Sequence, residues 1–244
     1  MNCLHKRKTN FFALYSLFMT MNISGCIDLS GAKYHEVPKK VRHEATATTH
    51  TSEKKVAQVK KHKPYRGEVH TMLGGLGVFS TGMKELSSSV EEVYNIPAPS
   101  DMWYNAGAVS RSITAYYYKH KNHRPIILVG HSLGANEQIK VARNLNKAGI
   151  PVDLLVTIDA VSTTVVPPNV NYAMNFYKPG YVPMFSGLKL RAIDPEKTRM
   201  DNINVATLKG VAVNHFTIDK NPVVQAMIMK EVKKVTTNAN RAKG

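Results

Sequence analysis

Four apolar residues in a row, Ile126-Ile127-Leu128-Val129, run straight into Gly130-His131-Ser132-Leu133-Gly134 and then into a helix-forming stretch to Lys147. No other feature restricts the fold of this chain as much. The apolar run does not alternate with polar residues, so both faces of the strand it forms are buried, as in a parallel sheet covered on both sides. Parallel strands need crossovers, and the sequence supplies them. Leu154 to Ile158 is a second continuous apolar run, and Val69 to Leu73 is a short apolar run that ends in Gly74-Gly75-Leu76-Gly77. Thr81 to Tyr94 spaces Met83, Leu86, Val90 and Val93 helically. Asp101 to His120 does the same with Ala106, Val109, Ile113 and Tyr117, and Val223 to Val235 is amphipathic. Strands alternating with helices predict an α/β fold with a mostly parallel sheet flanked by helices.

A Gly-x-Ser-x-Gly pattern is common by chance, but here it sits between a buried strand and a helix. A serine at such a turn occupies a strained backbone conformation, and side chains two residues to either side would collide with the neighbouring strand and helix. Gly130 and Gly134 remove that collision. Ser132 also stands at a helix N-terminus, where unpaired N–H groups and the helix dipole favour an anion. The plain alternative is a serine that caps a helix.

The stretch from Ile126 to Asn136, IILVGHSLGAN, resembles the nucleophile region of α/β-hydrolases, lipase and thioesterase-like members in particular, and the likeness extends loosely from Val69 to the last helix. The resemblance implies a compact α/β-hydrolase fold with little or no cap domain. It also implies hydrolysis of an ester or thioester, of a lipid or other acyl compound, through a Ser-His-Asp triad and an acyl-enzyme, with no metal and no organic cofactor. The family order is Ser, then acid, then His. Asp159 follows the run Leu154–Ile158, at the carboxyl end of a parallel strand where such sheets carry their sites. Asp194 and Asp201 stay open as alternatives, whereas Asp153 begins the strand at the wrong end. His215 is the one histidine after the acid, so it is the expected base. Asp219, four residues on, either contacts His215 or caps the last helix. The oxyanion hole is expected to use the backbone N–H of Leu133 and one from the loop after Leu73, with Leu76 as the choice. Val165 to Met184, rich in Pro, Tyr and Phe, lines an acyl pocket or packs the core.

Other chemistries lack their signatures. There is no Gly-Lys-Ser/Thr phosphate loop, no Gly-x-Gly-x-x-Gly, and no pair of histidines at helical spacing beside a glutamate. The formal charge of +16 invites a nucleic-acid partner. Its placement argues against one. Lys39, Lys40, Arg42, Lys54, Lys55, Lys60, Lys61 and Lys63 crowd a stretch holding only Glu36, Glu44 and Glu53, and that stretch lacks apolar periodicity and reads as a solvated spacer.

Upstream, Lys6, Arg7 and Lys8 precede an apolar run from Phe11 to Met21, the layout of a secretory signal that is too short and broken to span a membrane comfortably. Ile23-Ser24-Gly25-Cys26 resembles the lipobox of bacterial lipoproteins, which implies acylation of Cys26 and an envelope protein facing the periplasm or the cell exterior. The only other cysteine, Cys3, would leave with the signal. The expected organisation is a signal over 1–25, a lipidated basic linker over 26–66 and an α/β-hydrolase domain over 67–244. Two readings from other classes stay beside the enzyme: a non-catalytic binding lipoprotein on the same scaffold, and a protein whose basic linker is the active element.

Overall fold

The computed structural model describes residues 65–75, 77–162, 165–180 and 187–241. The signal, Cys26 and nearly all of the basic linker therefore lie outside the described residues, as does Leu76. The strands are β1 (Glu68–Leu73), β2 (Ser100–Met102), β3 (Ile126–His131), β4 (Leu154–Ile158), β5 (Val165–Val166), β6 (Tyr172–Tyr177), β7 (Arg191–Ala192) and β8 (Arg199–Asn204). The helices are α1 (Thr81–Tyr94), α2 (Ala106–Lys119), α3 (Leu133–Lys147) and α4 (Pro222–Arg241). Six strands form one sheet in the order β2-β1-β3-β4-β6-β8, every pairing parallel, and β5 pairs with β7 apart from it. This is the α/β architecture with helices on both faces that the alternating pattern predicts.

The continuous apolar runs are explained by the two cores they serve. Ile127 and Val129 of β3 face one cluster with Val69, Leu154 and Val156, covered by Met83, Leu86 and Val90 of α1 and Val224, Ile228 and Val232 of α4. Ile126 and Leu128 face the other cluster with Leu155, covered by Val109 and Ile113 of α2 and Ile139, Ala142 and Leu145 of α3. Successive side chains of a strand point to opposite faces, so a strand between two helix layers must be apolar at every position. Full burial of each such side chain stabilises the fold by about 1.5–3 kcal/mol.

Two expectations need correcting. Asp101 does not begin a helix: residues 100–102 pair as edge strand β2, residues 103–105 form a single 3-10 turn, and α2 starts at Ala106. The last helix runs on to Arg241, beyond the amphipathic window ending at Val235. Of the stretch from Val165 to Met184, residues 165–166 and 172–177 are strands and Phe176 is fully buried in the core, one of the two roles open to it, while Lys178, Pro179 and Gly180 line a cavity beside Asp159. Residues 181–184 lie outside the described residues.

Topology fixes where a site can form. From β1 the chain crosses by α1 to β2 at one edge, and from β3 it crosses by α3 towards the other edge. Neighbouring strands β1 and β3 thus send their carboxyl-end connections to opposite faces, which opens a crevice at the switch point between them.

Candidate active site

Ser132 is the first residue beyond β3 and has φ 60° and ψ −125°, a left-handed backbone that a serine adopts at a cost of about 1–3 kcal/mol. Its neighbours compel it. The Ser132 N–H donates to the Ile158 carbonyl at 2.9 Å, and the Ser132 carbonyl accepts from Ala135 N–H at 3.0 Å. A side chain on Gly130 would place its Cβ 2.4 Å from the Gly134 carbonyl oxygen, and one on Gly134 would reach 2.3 Å from that of Met72. The elbow exists only because both positions are glycine.

Register sets the second group. His131 of β3 pairs with Ile158 of β4, so Ser132 and Asp159 are the first residues past two adjacent strands. Asp159 also has a positive φ, 46°. Its N–H still reaches the Phe176 carbonyl at 2.8 Å, which holds the turn against β6. The third group, His215, comes from the irregular segment between β8 and α4. His215 Nε2 lies 2.9 Å from Ser132 Oγ, and His215 Nδ1 lies 2.7 Å from Asp159 Oδ2. An ionised carboxylate only accepts, so Nδ1 carries the proton and Nε2 is left to accept from the serine hydroxyl. All three side chains are buried, with Ser132 and His215 at 8% exposure and Asp159 at 2%.

A cavity of ≈ 160 Å³ opens over Ser132, lined by Gly74, Gly75, Phe79, Leu133, Val161 and Phe216 among others. A second, of ≈ 240 Å³, lies on the far side of His215 against Asp159, Lys178, Asn214 and Gly180. The Phe79 and Phe216 rings meet at 5.1 Å between centroids and stay partly exposed at the mouth. Leu133 N–H is the first of α3 and has no i−4 partner by helix geometry. It lies beside Gly74, whose added Cβ would fall 2.9 Å from it. Gly74 N–H itself is engaged, donating to Ser80 Oγ at 3.1 Å.

The rival acids lie elsewhere. Asp194 is in an exposed turn paired with Lys197, Asp201 in β8 takes Tyr172 Oη and Arg199, and Asp153 accepts from Ile126 N–H at the opposite edge. Asp219 does not cap α4. That helix is capped by Asn221, whose Oδ1 accepts from Val223 and Val224 N–H. Asp219 is instead fully buried, and its Oδ2 accepts from Gly82 N–H at 3.0 Å. Burial pushes its carboxyl up to about 6.

His131 and Ser80 were not singled out by the sequence. His131 is fully buried behind the site, with Nδ1 2.8 Å from Ser80 Oγ and Nε2 2.8 Å from the main-chain oxygen of His215. Burial above all, then the neighbouring His215, hold its imidazole down to about 4, so the ring is neutral at neutral pH. The signal was available: a polar residue closing a buried apolar strand must have partners. Among the described residues no group of three or more His, Cys, Asp and Glu is placed to hold a metal ion, and no helix is long and apolar enough to cross a membrane.

No protein-family model matches the chain, and no curated protein matches it. Among solved structures it is similar to a putative α/β-superfamily hydrolase from Xanthomonas campestris, at 11% identity over 68% of this chain and 99% of that one with a TM-score of 0.40. It is similar to a thioesterase of the prodiginine biosynthetic pathway in Streptomyces coelicolor, at 10% identity over 68% and 85% with a TM-score of 0.42. A Pyrobaculum calidifontis esterase aligns at 12% identity over 72% and 78% with a TM-score of 0.44. The fold class is α/β, a parallel six-stranded sheet flanked by helices.

Proposed function

We propose that the chain is a serine hydrolase cleaving a carboxylic ester or thioester, with Ser132 as nucleophile, His215 as base and Asp159 as orienting acid. One observation carries the reading. Ser132 Oγ, at a left-handed elbow beside a cavity, is hydrogen-bonded to a histidine whose other nitrogen is hydrogen-bonded to a buried carboxylate. In the reaction this supports, Ser132 Oγ adds to the acyl carbon while its proton passes to His215 Nε2. The carbonyl π electrons move onto oxygen, and we assign the donors to that oxyanion as Leu133 N–H and the N–H of Leu76, the latter outside the described residues. Collapse expels an alcohol or thiol that takes the proton from His215. Water, deprotonated by the same histidine, then releases the acid and regenerates Ser132. The chemistry invokes no metal and no organic cofactor.

The aromatic and aliphatic lining of the cavity over Ser132 suits the apolar part of an acyl group. The test is labelling with a fluorophosphonate together with turnover of p-nitrophenyl and acyl-thioester substrates. Wild type should label and turn over, and Ser132→Ala should do neither while staying folded. A folded wild type that neither labels nor turns over returns the chain to the binding-protein class. We further propose that Cys26 is acylated and holds the domain at a bacterial envelope membrane, a reading supported by the sequence from Lys6 to Cys26. Metabolic labelling with a clickable fatty acid tests it, with label expected on wild type and lost in Cys26→Ser.

A further inference from the structure

Behind the reactive side chains runs a chain of hydrogen bonds whose direction is set at the end that meets His215. It begins at Gly74 N–H, which can only donate, and reaches Ser80 Oγ at 3.1 Å. It ends at the His215 carbonyl, which can only accept, 2.8 Å from His131 Nε2. His131 must therefore carry its proton on Nε2, its Nδ1 must accept, and Ser80 must give its hydroxyl hydrogen to Nδ1 across 2.8 Å. The other tautomer would point the Nε2 lone pair at a carbonyl oxygen 2.8 Å away, whereas Ser80, whose hydroxyl also lies 3.5 Å from the Gly74 carbonyl, could serve either tautomer. Asp219 Oδ2, 3.9 Å from Nδ1, is too far to take that proton in a hydrogen bond.

We infer that His131 is a positioning residue, which in its Nε2–H form, set by the accepting His215 carbonyl, pins the main chain of His215 to the strand that carries Ser132. The inference rests on the hydrolase reading for its kinetic consequence but not for its geometry. The segment from Leu208 to Asn214 pairs with no strand, so His215 is not placed by the sheet. It is held by its ring contacts, by a turn closed through Thr217 and Ile218 N–H to the Asn214 carbonyl, by Lys178 Nζ on the Val213 carbonyl at 2.5 Å, and by His131. Because His131 and Ser132 are consecutive, His215 is gripped at two points by one dipeptide: its ring by the serine hydroxyl, its carbonyl by the imidazole. A neutral His131 suits this, since burial keeps its ring unprotonated down to about pH 4 and Nδ1 free to accept.

The experiment uses the full chain and compares wild type, Ser132→Ala, His131→Leu, His131→Gln and Ser80→Ala, with thermal unfolding to verify folding. His131→Leu keeps the bulk and deletes the donor, and a base displaced by a fraction of an ångström should slow saturating fluorophosphonate labelling by about 10- to 100-fold. The half-saturating probe concentration should change far less than the rate, because His131 borders the pocket over Ser132 with a side chain only 1% exposed. His131→Gln, whose side-chain N–H can reach the same carbonyl, should recover most of the lost rate. A folded His131→Leu that labels at the wild-type rate overturns the inference, and so does a folded His131→Gln as slow as His131→Leu. Independently of activity, ¹⁵N-resolved imidazole spectra should show His131 as the Nε2–H tautomer with a slowly exchanging proton in wild type and in Ser80→Ala alike, because the His215 carbonyl accepts in both. An Nδ1–H tautomer in either overturns it too. If wild type fails to label, the hydrolase reading falls, and the spectra alone decide the position of His131.

Discussion

Two buried sets of the same three residue types lie back to back in this molecule. In front are Ser132, His215 and Asp159, and behind them are Ser80, His131 and Asp219. Their compositions are identical and their geometries are not. In the front set serine and carboxylate sit on opposite nitrogens of the ring, at 2.9 and 2.7 Å, so a proton taken from the serine leaves a cation beside an anion. In the rear set serine and carboxylate approach the same nitrogen, at 2.8 and 3.9 Å, and the other nitrogen is spent on a peptide carbonyl. The rear imidazole cannot relay a proton from its serine, because Nδ1 is stacked with both neighbours and Nε2 faces an acceptor with no proton to give. A Ser-His-Asp row becomes a nucleophile only through the placement of its members and an opening to solvent. Both serines border the same cavity, but Ser132 is 8% exposed and Ser80, just before α1, is 1% exposed.

The largest effect tests that contrast directly. Ser132→Ala should abolish fluorophosphonate labelling, and His215→Ala should reduce ester turnover by about 10⁴-fold or more, because the members of such a row act as a unit. Ser80→Ala should retain labelling at the active serine, and its complete loss in a folded variant would erase the distinction between the rows. Next come the acids. Asp159→Asn should lower turnover on the order of 10⁴-fold by presenting His215 in the wrong tautomer, whereas Asp219→Asn, whose side-chain oxygen can still accept from Gly82 N–H, should cost far less. The reverse ranking, read from turnover of a p-nitrophenyl ester, would move the acid to the rear row. Smaller again is Gly74→Ala. Its Cβ would stand 2.6 Å from the His131 carbonyl oxygen and 2.7 Å from Ser132 Cβ, so the loop must retreat from the elbow, slowing labelling by about 10²-fold. Labelling at the wild-type rate would show that the loop takes no part.

The front row was legible in the sequence because each member is tied to a strand end or to chain order: Ser132 to its glycines, Asp159 to the close of an apolar run, His215 to being the last histidine. The same logic located the buried strands β1, β3 and β4. It did not find β6 or β8, since Tyr172–Tyr177 and Arg199–Asn204 carry Asn175, Asp201 and Asn202 and so break the apolar pattern. The structure accounts for these polar residues by mutual bonds, Asn175 Nδ2 to Asn202 Oδ1 and Tyr172 Oη to Asp201 Oδ2. Such satisfaction depends on which strands become neighbours, which no local window contains. The rear row escaped for the same reason. Ser80, His131 and Asp219 meet across 139 positions of chain, and only the tertiary fold brings them together.

The last prediction concerns how the rear row answers to pH, and its two titratable members pull in opposite directions. His131 is held at about 4 in the folded chain against its ordinary 6.5. As pH falls from about 6.5 to about 4 the unfolded chain therefore binds a proton that the folded chain refuses, and stability is lost with acidification. Asp219 is raised to about 6 from its ordinary 3.8. Between those values the folded chain keeps a proton that the unfolded chain releases, so this contribution is present below about pH 4 and is lost as pH rises through about 6. Each effect is on the order of 3 kcal/mol, and because the windows overlap with opposite slopes they offset one another in wild type. Removing one should expose the other. Relative to wild type, Asp219→Asn should lose stability more steeply as pH drops from 6.5 to 4, while His131→Gln should lose it as pH rises from 4 to 6. Urea unfolding across that range reads the differences, in which groups outside the row cancel. Parallel profiles for both variants and wild type would mean that the rear row does not titrate on folding, and that its burial leaves its two ionisable members no further from their ordinary values than they are in the unfolded chain.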